Sequence, residues 1–356
     1  MNSSRRISPG WTGGLGPIIL EDYVPDDSAV LVRNEDYWGD PAYLDRVIIR
    51  PIEDPAARLQ ALQGGSILGY DLVGPTDYEM VESTDGLSLV ERRSFNTLYL
   101  GLNPLTEDES VLTDLAVRQA IALAIDKQAL VDAFLDGHGS VADIFLPPSS
   151  SWYEGVRAGV DDESTYPYDP DAARALLEEA GFGEDDPPTI HLWAPTGVTR
   201  PFMPDPEGIQ QRIATMLEDV GFVVEQVSAD WTSEYTSAVQ NGDYEAHLLG
   251  WSGDYDDPAN WYGLHFGYSQ GQPAAQFGCD AEGLEEAIDG AELALDGADR
   301  AAAWAEAANI IHGQVCFVTL AHADTALAFA DVVHGYEPNP IGVETFASVW
   351  LSDTAE

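Results

Sequence analysis

Short β-branched or apolar runs alternate along this chain with helix-length segments that open on a capping residue, and that alternation constrains the fold more than any other feature. Asp54-Pro55 and Asp169-Pro170 each set a side-chain acceptor before a proline, the arrangement that starts a helix. Gly64 and Gly181 close those two helices. Thr113 or Asp114 caps another, with Leu115, Ile121, Ala124 and Ile125 as its apolar positions, and residues 127–135 form a further helix ending at Gly137. Residues 209–220 are amphipathic, 232–240 read as helix, and two alanine-rich helices fill 282–311. Strands are expected at 47–52, 67–73, 87–92, 97–102, 190–193, 223–227, 244–249, 315–320 and 326–329. Strands that alternate with helices argue for an α/β architecture, mixed sheets covered by helices. The chain carries no short-period repeat.

The charge sets a second limit. Acids outnumber bases 62 to 15, a net charge of -47, and Lys127 is the single lysine. Acidic disordered tails are poor in aromatics, whereas this chain is 45% hydrophobic with 9 Trp and 15 Tyr, and its acids are spread throughout. It is expected to fold, with self-repulsion weakening the compact state at low salt. At molar salt the Debye length falls to about 3 Å and the repulsion is screened, so the composition points to a halophile. Nucleic acid is excluded as a partner, since its phosphates would be repelled. At 356 residues there is room for two lobes with real cores. No stretch approaches a membrane span. Cys279 and Cys316, the only cysteines, are expected as buried or idle thiols, because neither spacing nor context demands a disulfide. The twin arginine Arg5-Arg6 is read as coincidence, because Pro9, Gly10, Gly13, Gly14 and Gly16 interrupt any apolar run after it.

The richest chemistry lies in LLGWSGDYDDPANWY, residues 248–262. An apolar strand delivers a turn carrying Asp254, Asp256 and Asp257, interleaved with Trp251, Tyr255, Trp261 and Tyr262. Aromatic faces beside a fixed carboxylate suit a ligand with an ammonium group and a flat or apolar body. From the residues alone, a solvated turn in a very acidic protein is the competing reading. Three carboxylates on one turn also raise calcium, but the calcium-loop pattern is missing. The seven histidines show no paired-ligand spacing, so no metal ligands are assigned, and no cofactor motif is present. Enzyme signatures fail likewise. Lys127 follows Asp126 in AIDKQ and cannot be a P-loop lysine, and Ser252 in GWSGD is one glycine short of a nucleophile elbow.

The turn resembles the W-x-x-D-x-x-D-P-x-N-like stretch of the family 5 solute-binding proteins of ABC importers, the dipeptide, oligopeptide and nickel group. Four more segments match in order. They are the Asp36–Trp38 region with its following strand, SFNTLYLGLN at 94–103, DLAVRQAIALAID at 114–126 and YDPDAARALLEEAGF at 168–182. Together the matches run from about Gly14 to Trp350. The resemblance implies a periplasmic-binding-protein-like fold of type II, two lobes with mixed sheets flanked by helices and lobe one incomplete. It implies residues 1–98 as partial lobe one, 99–322 as lobe two and 323–356 as a return to lobe one. It also implies an extracytoplasmic protein that captures a short peptide or related cationic solute in an interlobe cleft and presents it to an ABC importer permease.

On this resemblance Asp254 receives a peptide's α-ammonium, Trp251 and Tyr255 wall the site, and Trp261 and Tyr262 pack. Asn260 caps a following helix. Arg200, in the loop VTRPF, is a conceivable carboxylate partner, with surface placement the main expectation. The segment that begins relatives of this family is absent, GGLGPI at 13–18 is a weakened G-T-G-P-[FY], and QGGSILGYD at 63–71 is a residue short. Two alternatives follow from these departures and from the abundant acids. One is a truncated, non-binding remnant or interaction module; the other is a hydrolase using paired carboxylates.

Overall fold

Local capping chemistry sets the helix starts. In the computed structural model, which describes residues 14–52, 54–106, 110–267, 277–279, 281–295 and 297–352, the Asp54, Asp114, Asp126, Asp169 and Asp205 carboxylates each accept a backbone N–H two or three residues on. Of the Thr113/Asp114 alternatives, Asp114 is therefore the cap. The twin-arginine segment lies outside the described residues.

In chain order the strands and helices begin β1 (Ile18–Val24), β2 (Ser28–Arg33), β3 (Arg46–Ile49), α1 (Pro55–Gln63), β4 (Gly69–Asp71), α2 (Tyr78–Ser83) and β5 (Leu87–Arg92). They continue through β6 (Asn96–Leu102), α3 (Leu115–Ala124), α4 (Lys127–Phe134), β7 (Gly139–Val141), α5 (Tyr153–Arg157), α6 (Pro170–Glu179), β8 (Thr189–Thr196), α7 (Pro206–Val220), β9 (Val223–Asp230), α8 (Thr236–Asn241) and β10 (Ala246–Ser252). The rest are α9 (Tyr262–Phe266), α10 (Leu284–Leu293), α11 (Gly297–Gln314), β11 (Phe317–Ala323), β12 (Thr325–Ala330), β13 (Val333–His334) and β14 (Trp350–Leu351). The hairpin β1–β2 and the short β7 were not anticipated from sequence. The helix expected over 232–240 is instead a π-helical turn, Trp231–Tyr235, followed by α8.

The chain divides into two compact units, Met1–Arg92 with Thr325–Glu356, and Arg93–Asp324. The first holds three small sheets, β1-β2-β3, β4-β12-β5 and β13-β14. Leu59, Leu62, Val81 and Ala328 form its core between α1, α2 and the second sheet. Arg92, 4% exposed, ends β5 and donates to Asp71 at 2.6 Å, Glu344 at 2.7 Å and Thr325 at 3.0 Å, tying β4, β12 and the C-terminal segment together.

The second unit is built on one mixed sheet of order β7-β11-β6-β10-β8-β9. β8, β9 and β10 run parallel, and β6 is antiparallel to both β10 and β11. Leu100, Ile121, Ile190, Leu192, Ile213, Leu217, Leu248 and Leu320 are buried between the sheet and α3, α4, α6 and α7. Each such side chain contributes about 1.5–3 kcal/mol by leaving water. The expectation of two idle thiols is corrected: Cys279 and Cys316 are joined in a disulfide, their Cα atoms 5.6 Å apart. The fold brings two distant segments to within bonding range, which a 37-residue separation does not reveal.

Candidate functional site

Three parallel strands finish at one edge of the large sheet. Thr196 ends β8 and pairs with Asp230, which ends β9, while Ser252 ends β10. In open α/β sheets the ligand crevice lies outside the carboxyl ends of the strands. The segments leaving these three ends carry Arg200, Trp231, Asp254 and Tyr255, and Trp251 is the penultimate residue of β10. A side chain at Gly250 would collide with Phe202, so the loop that bears Arg200 lies directly on β10, one residue before Trp251.

The turn after β10 spends its carboxylates unequally. Asp256 accepts from the Ser150 hydroxyl at 2.6 Å and from the Ser151 amide at 3.1 Å. Asp257 accepts from the Ala259 amide at 2.9 Å and pairs with Arg300 at 2.8 Å. The Asp254 carboxylate is exposed and has no hydrogen-bond or ion-pair partner among the described residues. With the other two engaged elsewhere, the turn is not a cation cage, and no group of three potential ligands is placed to hold a metal among the described residues.

Trp251 is half-buried and Tyr255 is 50% exposed. Asn260 does not cap the following helix; Asp257 caps the 3-10 turn Pro258–Asn260, and Asn260 turns inward, 1% exposed. Its side-chain oxygen accepts both the Trp251 indole N–H and the Asp254 backbone N–H, each at 3.0 Å. Trp261 and Tyr262 are fully buried, Trp261 edge-on to Phe95 at 4.9 Å, so they are packing residues. Arg200 is exposed at the sheet edge, its guanidinium 4.7 Å above the Trp231 ring. Trp231 carried no signal in the sequence that set it apart from the other tryptophans.

Four histidines, His247, His265, His312 and His322, are buried, and burial pushes each down to about 4. They are neutral core residues at pH 7. Lys127, 7% exposed, donates to the Thr165 carbonyl at 3.0 Å, and burial lowers its pKa to about 8. An open cavity of about 770 Å³ lined by Asp161, Asp162, Glu163, Tyr166 and Asn309 shares no residue with the turn.

Comparison with known proteins identifies the family and the fold. The sequence model of the bacterial extracellular solute-binding proteins, family 5 Middle, matches residues 10–273. The chain is 30% identical over 339 residues to di/tripeptide-binding protein 1 of Pseudomonas aeruginosa, covering 94% of this chain and 60% of that protein. It is 27% identical over 336 residues to heme-binding protein A of Haemophilus influenzae, covering 94% and 59%. The chain thus spans about three fifths of the length of these relatives. Its fold matches the periplasmic binding protein DppA of Helicobacter pylori in complex with the peptide STSA, with a TM-score of 0.79 at 23% identity over 95% of this chain and 63% of that one. The fold is α/β and periplasmic-binding-protein-like, type II. The match extends over most of the residues, and the chain belongs to the bacterial extracellular solute-binding proteins, family 5.

Proposed function

We propose that this chain captures a short peptide, or a related cationic solute, for an ABC importer, without catalysing a reaction on it. The carrying observation is the Asp254 carboxylate: exposed, unpartnered among the described residues and fixed at the end of β10 beside Trp251. An ammonium group is its natural complement. Trp251 and Tyr255 supply apolar walls. Arg200, on the neighbouring loop, is the candidate for a peptide carboxylate, with Trp231 stiffening the guanidinium from below. An exposed ion pair is worth about 0–1 kcal/mol, so the aromatic walls must exclude water for the ammonium contact to select a ligand.

The relatives named for di- and tripeptides support this ligand class, while the heme-binding relative shows that one scaffold serves different solutes. We read the unit Arg93–Asp324 as lobe two and the remaining unit as part of lobe one. Among the described residues no helix is long and apolar enough to cross a membrane. The family's extracellular character supports an extracytoplasmic location, with an importer permease as partner.

The test is a calorimetric titration in molar KCl with the dipeptide Ala-Ala and with its N-acetylated form. Ala-Ala is expected to bind and the acetylated peptide, lacking the ammonium, to bind at least about tenfold more weakly. Equal affinity for both would remove Asp254 from the ammonium role.

A further inference from the structure

Trp251 has a second fastening besides Asn260. The His265 ring meets it nearly at right angles, centroids 4.9 Å apart. His265 is 5% exposed, and its Nδ1–H donates to the Trp261 carbonyl at 2.7 Å. Next to His265 lies Phe277, 6.1 Å away and fully buried. Phe277 stacks on Phe266 at 4.8 Å and meets Phe317 at 5.5 Å and Tyr99 at 5.4 Å. Two residues after Phe277 comes Cys279; one residue before Phe317 comes Cys316, and these two are bonded. The disulfide therefore ties the segment of Phe277, whose ring backs His265, to the start of β11, whose Phe317 packs against Phe277.

The backbone on both sides of that bond has little freedom. Gly278 has φ +52, and a Cβ there would fall 2.1 Å from the Asn103 side-chain oxygen. Val315 is buried, β-branched and left-handed at φ +47, a conformation such residues rarely adopt unless the surroundings enforce it.

We propose that the Cys279–Cys316 disulfide is a structural brace for the ligand wall. Closed, it holds Phe277 against His265, and His265 holds the Trp251 indole edge-on in the orientation that Asn260 also secures. His265 is thus a positioning residue. The binding consequence rests on Trp251 being a wall of the peptide site; the brace itself does not. Both cysteines are buried, 1% and 2% exposed, so the bond is a structural one. Without the bond, Phe277 loses its covalent anchor and Trp251 gains rotamers.

The test uses the indole N–H resonances of the full ¹⁵N-labelled chain in molar KCl, with Trp251 identified by Trp251→Phe. In Cys279→Ala/Cys316→Ala, and separately in His265→Leu, the Trp251 resonance is expected to shift and broaden. That of Trp193, which stacks on Tyr244 in a separate cluster, is expected to stay. An unmoved Trp251 resonance overturns the proposal, and so does an equal displacement of every indole, which marks only a looser fold. Affinity for Ala-Ala is expected to fall about tenfold in the cysteine variant, and not to fall further when its substitutions are added to Trp251→Ala. Additive losses overturn the coupling. If Trp251→Ala binds Ala-Ala as tightly as the parent while the resonance still follows the disulfide, the brace stands and Trp251 is not a ligand wall.

Discussion

Asn260 and Trp251 are joined across the turn by one hydrogen bond, from the indole N–H to the side-chain oxygen at 3.0 Å, and the same oxygen also takes the Asp254 amide. One buried acceptor thus orients both the aromatic wall and the backbone of the candidate ammonium anchor. Asn260→Ala leaves two donors without their acceptor at a site that is 1% exposed in the parent. Unmade buried hydrogen bonds cost about 1–3 kcal/mol each. Urea denaturation is expected to show a loss of about 2 kcal/mol or more, together with weaker peptide binding. An unchanged midpoint would show that water replaces the acceptor without cost.

The disulfide closes a separation of 37 residues, and constraining the unfolded chain over such a loop is worth about 3–4 kcal/mol. Reduction under mild denaturant, followed by urea titration against the oxidised chain, is expected to lower the unfolding free energy by that amount, and the midpoint with it. Coincident curves would mean that packing around Phe277 and Phe317 holds the segments without the bond.

The four buried histidines fix the direction of the pH response. Each has its pKa lowered from 6.5 to about 4 in the folded chain. Between those values the unfolded state binds protons that the native state refuses, so stability rises with pH. It is complete above about pH 6.5 and is lost as the pH falls toward 4, at roughly 1.4 kcal/mol per unit for each group. Thermal midpoints measured from pH 7 down to 4.5, in molar KCl to screen the surface, are expected to drop steeply. A flat profile would mean that the histidines reach solvent before global unfolding.

The net charge of -47 gives a third lever. Melting in dilute buffer is expected well below melting in molar KCl, because the salt screens the repulsion among the excess acids. A midpoint independent of KCl would remove the halophile reading.

What could be read from the chain divides by range of interaction. Helix starts were legible because Asp54 and Asp169 act on backbone groups within three residues. Asp254 was singled out by the family resemblance, but the sequence did not show that Asp256 and Asp257 are committed to Ser150 and Arg300, far along the chain. The role of Asn260 was missed because a side chain bonding nine residues back looks, in sequence, like a local cap. The β1–β2 hairpin escaped because Ile18–Val24 and Ser28–Arg33 lack a clean alternation and none of their residues is fully buried. The disulfide was hidden by tertiary closure alone.

The most direct measurement is the thermal midpoint of the chain and of Asp254→Asn in molar KCl, with and without excess Ala-Ala. A ligand that binds only the native state must raise the midpoint. With Asp254 as the ammonium anchor, the parent shifts upward, while Asp254→Asn melts at the parent's unliganded midpoint and shifts little or not at all. Equal upward shifts in both proteins would contradict the assignment of the site to Asp254.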